Sequence, residues 1–208
     1  MTDNYKINID KRWSLEDLYV FSRTYEQVYF LAYSLLPELP DDALDRISRA
    51  YHTYPWQGGY SAVNFYNQLK YSVPIAQRPN VVSIRYASPG YLELGLLLGV
   101  AFSVSKLVKY VAGSIKEINL VYNEIMSDLQ KRKLLRLEVK QKGLELSRSQ
   151  LHFIEEHAES MAKLLMFKGH SEITDRTGHP FITLKILLSY YRRLRKLAEY
   201  QSKGKADL

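Results

Sequence analysis

The chain has 208 residues, 46% of them hydrophobic and 12% aromatic, which excludes a disordered polypeptide and suits one sizeable domain or a domain with an appendage. It contains no cysteine, which excludes disulfide staples, thiolate metal sites and cysteine nucleophiles and points to a reducing, cytoplasmic setting. The net charge is +7 and unevenly spread: residues 1–80 hold 8 Lys/Arg against 9 Asp/Glu, and residues 81–208 hold 21 against 13, so the basic excess belongs to the second part.

The N-terminus is polar and lacks the apolar region of a signal peptide. Tyr5, Ile7 and Ile9 then alternate with Lys6, Asn8 and Asp10, the period of a half-buried strand. Ser14 and Asp17 have the spacing of a capping box, and a wide apolar stripe from Leu15 to Leu35 follows as a helix. Pro37 and Pro40 end it, Asp41 and Asp42 open a second helix carrying Leu44, Ile47 and Tyr51, and Tyr54–Gly59 reads as a loop. A third helix is expected over Ser61–Tyr71, with Pro74 and Pro79 bracketing an extended crossing. Val81–Tyr86, rich in β-branched and aromatic residues, reads as a strand.

Ser88-Pro89 then has the form of a helix start, a serine cap with proline in the first helical position. The helical pattern continues to Gln141, with Gly143 as a stop, and places Val104, Val108, Val111, Ile115, Ile118, Tyr122, Ile125 and Leu129 in steps of four and three. A straight helix of that extent is about 80 Å long, against a radius of gyration of about 17 Å for a compact chain of this size. Gly113 alone is a weak breaker, so the reading is a long helix that starts buried and leaves the globule as an arm. The same alternation returns from Leu144 to Leu165 and, after a loop at Gly169–His179, from Leu184 to Ala198, with His179-Pro180 as a second helix start. These stretches suggest an antiparallel helical bundle, within the chain or between chains.

The expected architecture is therefore helix-dominated α+β. A small two-stranded sheet, parallel and completed across a dimer axis, lies under helices in residues 1–130, and a helical extension occupies 131–208. The apolar run Leu94–Ser105 is too short to span a bilayer and reads as a buried helix segment, on which Gly95 and Gly99 form a G-x-x-x-G for close packing.

No catalytic constellation emerges. His152 and His157 are five apart, where a zinc-protease helix needs four. His170, Glu172, Asp175 and His179 share a loop but have no metal-ligand spacing. Phosphate-loop motifs are lacking, and Ser88 reads as a cap, not a nucleophile. Neither an enzymatic activity nor a cofactor or metal is expected. What remains is surface for partners. Val111, Ile118, Ile125 and Leu129 form the expected helix–helix seam. Lys131, Arg132, Lys133 and Arg136, with Lys140 and Lys142 beyond, form one basic cluster, and Arg192, Arg193, Arg195 and Lys196 form another. Neighbouring Tyr190, Tyr191 and Tyr200 offer rings for base stacking, so a nucleic-acid partner is the alternative to a protein one.

The run Val82-Ser83-Ile84-Arg85-Tyr86-Ala87-Ser88-Pro89-Gly90, placed after an N-terminal strand–helix unit and before a long helix, resembles a signature of small bacterial α/β modules. Those modules act as interaction or adaptor domains in bacterial conflict and immune-signalling systems and have been likened to the N-terminal domain of an animal death-receptor adaptor. The resemblance spans the first 130 residues. It implies an oligomerising role without catalysis and carries over no active-site residue. The expected function is thus a scaffold or adaptor that self-associates or binds a protein through helical faces, within a bacterial defence or signalling complex.

Overall fold

Alternation in the first strand decides which way the sheet faces. In the computed structural model, which describes residues 3–53, 61–132 and 146–208, β1 (Asp3–Ile9) buries Tyr5, Ile7 and Ile9 and leaves Asn4, Lys6 and Asn8 in solvent. Its neighbour is a strand that the sequence reading took for helix, β3 (Gly90–Leu96), antiparallel, with Tyr5 opposite Leu94 and Ile7 opposite Leu92. β2 (Asn80–Arg85) pairs antiparallel with the other side of β3, and the two-residue β4 (Ala206–Asp207) pairs antiparallel with β1. Among the described residues the sheet is four-stranded, in the order β2-β3-β1-β4.

The expectation of two strands in parallel relation is corrected by the turn between β2 and β3. Ser88-Pro89, a cis peptide, does not start a helix. The Ser88 hydroxyl donates to the carboxylate of Asp10 at the end of β1 instead of capping backbone N–H groups. Gly90 allows the chain to reverse tightly, because a Cβ there would lie 2.3 Å from the Arg85 carbonyl oxygen and 2.8 Å from the Ala87 nitrogen. Gly95 and Gly99 consequently fall on different elements, a strand and a helix, and form no helical G-x-x-x-G.

Helices cover one face of the sheet. α1 (Leu15–Ser34) begins with the expected capping box: the Ser14 hydroxyl accepts from the Asp17 N–H, and the Asp17 carboxylate accepts from the Ser14 N–H. α2 (Asp41–Thr53) and α3 (Ser61–Ser72) follow, and the segment between Pro74 and Pro79 holds a 3-10 turn, Ile75–Gln77. The loop expected at Tyr54–Gly59 lies outside the described residues.

Asp17 also joins the two ends of the chain, accepting from the Lys205 ammonium at 2.9 Å and from the Tyr200 hydroxyl at 3.2 Å. The Ser14 N–H and then Lys205 hold its carboxyl well below the usual carboxylate range. A carboxyl depressed in the folded state contributes stability above its unfolded value near 4, and that contribution fades as pH falls below it. Asp17→Asn is expected to cost about 1–2 kcal/mol at neutral pH, from the weakened cap and the lost ion pair. Urea unfolding of wild type and variant should differ at pH 7 and converge in acid.

The long helix does not leave as an arm. α4 (Leu98–Gly113) and α5 (Ile115–Lys131) meet at a bend of 85°. The break costs little at Gly113 and Ser114, because the Ser114 N–H still bonds the Tyr110 carbonyl and the Ile118 N–H bonds the Ser114 carbonyl. Bending folds α5 back onto the chain, where the apolar stripe gains cover that a projecting arm lacks. α6 (Arg148–Leu164) starts at a second capping box, Ser147 with Gln150. The expected loop at Gly169–His179 contains a short helix, α7 (Ser171–Thr177), ended by Gly178 at φ 66°.

α8 (Pro180–Ser202) begins where expected, the His179 ring accepting from the Phe181 N–H at 3.1 Å. It is the central helix, packed on α1, α4, α5, α6 and α7, with Ile182, Leu184, Leu187, Tyr191, Leu194 and Ala198 buried. Residues 146–208 therefore share one core with residues 3–132, and β4 returns the chain end to the sheet. Among the described residues no single helix is long and apolar enough to cross a membrane.

Candidate functional site: the open edge of β2

The seam residues are the first candidates, and they are consumed inside the chain. Val111, Ile118 and Ile125 are 0% exposed and Leu129 is 1%. α5 lies against α6 and α8. Tyr122 and Tyr191 meet with ring centroids 5.2 Å apart, and the Tyr191 hydroxyl donates to Asn119 at 2.8 Å.

Among the described residues the basic side chains do not form one surface. Lys131 pairs with Asp128 at 3.2 Å, and the Arg132 guanidinium lies 4.2 Å from the centre of the Phe153 ring. Lys133 and Arg136, like Lys140 and Lys142, lie outside the described residues. On α8 the residues diverge, since successive helical positions are about 100° apart. Arg192 donates to the Tyr122 hydroxyl and Arg195 to Asn119, both at 3.3 Å, on the α5 side. Arg193 turns towards α1 and α3, donating to Gln27 at 2.7 Å and lying over the Tyr66 ring. Lys196 pairs with Glu199 at 3.6 Å.

His157 and His170 have local partners. The His157 ring meets Phe153 edge-on, and the His170 ring and N–H both engage the Glu159 carboxylate. His170 and Lys163 together hold that carboxyl down to about 2. Among the described residues no group of three His, Asp or Glu is arranged to hold a metal ion.

What the fold leaves open is β2. Val81 and Ile84 extend the inner-face rows of Leu94 and Leu92, yet they are 61% and 50% exposed where Leu94 and Leu92 are each 5%. α1 reaches far enough to cover β3 and stops short of β2. The gap is an apolar crevice of about 80 Å³ lined by Phe21, Ser22, Tyr25, Val81, Leu92 and Leu94. Tyr25 is buried, its hydroxyl has no hydrogen-bond partner among the described residues, and burial pushes it well above the ordinary tyrosine value. Leu15, two turns before Ser22 on the same side of α1, is 85% exposed. Tyr86, 62% exposed, closes that end by accepting from the Trp13 N–H.

The two sheet edges are treated differently. The β1 edge is partly taken by β4, held by a Lys109–Asp207 ion pair at 3.2 Å. Among the described residues β2 has a strand on one side only. The sequence marked Val81–Tyr86 as a strand, but nothing in its composition indicated that helical cover ends beside it. No family model, curated protein or solved structure matches this chain.

Proposed function

We propose that this protein is a non-enzymatic scaffold or adaptor that binds protein, a second copy or another chain, through the open edge of β2. The observation that supports this reading is the uncovered apolar row: Val81 and Ile84 continue the core past the last helix onto an edge strand. An edge strand presents unpaired N–H and C=O groups, and soluble proteins usually blunt such edges with lysine, proline or a covering element. Here Pro79 precedes the strand, Arg85 ends it and a bulge interrupts it between Val81 and Ser83, yet Val81, Val82 and Ile84 stay apolar and exposed. Addition of a strand supplies main-chain hydrogen bonds for affinity and side-chain pockets for selectivity. The helical seam is already used within the chain, which moves the partner surface from helix to sheet. The likeness of Ser83–Pro89 to bacterial adaptor modules agrees with this role and suggests a defence or signalling complex as its setting.

The test is the mass of the protein in an extract of its own cells. Wild type is expected to migrate well above its 24.2 kDa chain mass, and Ile84→Lys to return it towards that mass. Wild type migrating as a free chain, or a complex indifferent to Ile84→Lys, overturns the reading.

A further inference from the structure

This inference rests on the edge reading above and names the occupant. We infer that β2 pairs with β2 of a second copy, antiparallel, about a two-fold axis between Val82 and Ser83.

The bulge in β2 carries the argument. In a regular strand, residues three apart point to opposite faces. Full antiparallel overlap of a regular six-residue strand with itself therefore sets inward residues against outward ones, which sheet pairing forbids. β2 is six residues long, and its register against β3 slips between Val81 and Ser83. The slip brings Val81 and Ile84 to the same face, opposite Leu94 and Leu92. Ser83 is left on the other face, where its hydroxyl donates to Glu93. Val82 is there too, its methyl 3.3 Å from where a Gly95 Cβ would stand. Full overlap then matches every residue. Val81 faces Ile84 of the second copy on the inner side, while Val82 faces Ser83 and Asn80 faces Arg85 on the outer side.

Two consequences favour a second copy over an unrelated strand. The inner-face rows become continuous, running Ile7, Leu92 and Ile84 in one copy into Val81, Leu94 and Tyr5 of the other. The single charge of the strand, Arg85, lies beside a neutral Asn80, so no like charges are opposed across the join. The two β3 strands are then three strand spacings apart, roughly 14 Å. That channel lies between the two α1 helices, and Leu15 and Tyr86 of each copy border it.

The purified full-length chain tests this by sedimentation equilibrium in the micromolar range, with twice the 24.2 kDa chain mass expected. Ile84→Lys should weaken the dimer at least about tenfold. Leu15→Glu, at a site too exposed to unfold the chain, should weaken it in the same direction. Because the chain has no cysteine, Val82→Cys provides a clean second readout. Near the axis, its two copies fall within the Cα separation of up to about 6.8 Å that a disulfide bridges. Mild oxidation should yield a linked dimer faster than for Leu120→Cys, an exposed position on α5. A purified chain that stays at single mass, with Val82→Cys linking no faster than Leu120→Cys, overturns the inference. So does a dimer unaffected by both Ile84→Lys and Leu15→Glu. If the purified chain is single but the complex in extract still dissolves with Ile84→Lys, the edge reading stands with a foreign strand as occupant. If neither assembly exists, both fall.

Discussion

Ile118→Asp combined with Ile125→Asp is expected to abolish cooperative unfolding and leave a chain without stable α5, α6 and α8 packing. Both side chains are 0% exposed, on the face of α5 turned to its own core. A carboxylate placed there enters a fully buried apolar face, and burying a charge costs several kcal/mol even after relaxation. Two such sites together exceed much of the roughly 5–15 kcal/mol that holds a domain folded. Truncation without charge, Ile118→Ala, is expected to cost about 2–4 kcal/mol and to leave a folded chain with a lowered melting temperature. Far-UV circular dichroism during heating, with sedimentation at the same concentration, separates the two possible roles of this stripe. Unchanged melting with reduced mass would show that the stripe joins chains, contrary to its burial within one.

Gly90→Ala is expected to open the β2–β3 hairpin. The added methyl would meet the Arg85 carbonyl oxygen at 2.3 Å and the Ala87 nitrogen and oxygen at 2.8 Å, all backbone atoms that cannot rotate away. Overpacking against fixed atoms costs about 1–3 kcal/mol and sometimes more. Here the strain falls on the turn that holds the edge strand to the sheet. Amide exchange should accelerate in β2 and the adjoining part of β3 while α8 amides keep their protection, and β2-dependent assembly should weaken with it. Gly95→Ala should be milder, since its nearest neighbours are the Asn80 and Val82 side chains, which can shift. Gly99→Ala meets nothing within 4 Å and should be neutral. Equal effects at all three positions would contradict this account of the turn.

Elements with strong local signals were legible from the chain alone. β1 followed from the alternation of Tyr5, Ile7 and Ile9, α1 from Ser14 and Asp17, α8 from His179-Pro180, and β2 from its β-branched residues. β3 was not. Gly90-Tyr91-Leu92-Glu93-Leu94-Gly95-Leu96 lacks β-branched residues and runs into the apolar start of α4. A short apolar run of that kind has the same composition in a buried strand and a buried helix. Ser88-Pro89 met the local criteria for a helix start, yet the Ser88 hydroxyl donates its hydrogen bond to the carboxylate of Asp10, 78 positions earlier.

The stripe from Val104 to Leu129 shows the same division on a larger scale. Its burial follows from the sequence, because residues in steps of four and three share one helical face and need cover. That the cover comes from the same chain depends on the 85° bend after Gly113, which a single glycine does not enforce. The bend is stabilised by α8, α6 and the apolar surface they remove from water, contacts between residues up to about a hundred positions apart. The candidate site belongs to that second level too. β2 is a strand by its own residues, and it is an open edge because α1 ends its cover at β3 and β4 pairs on the far side of the sheet.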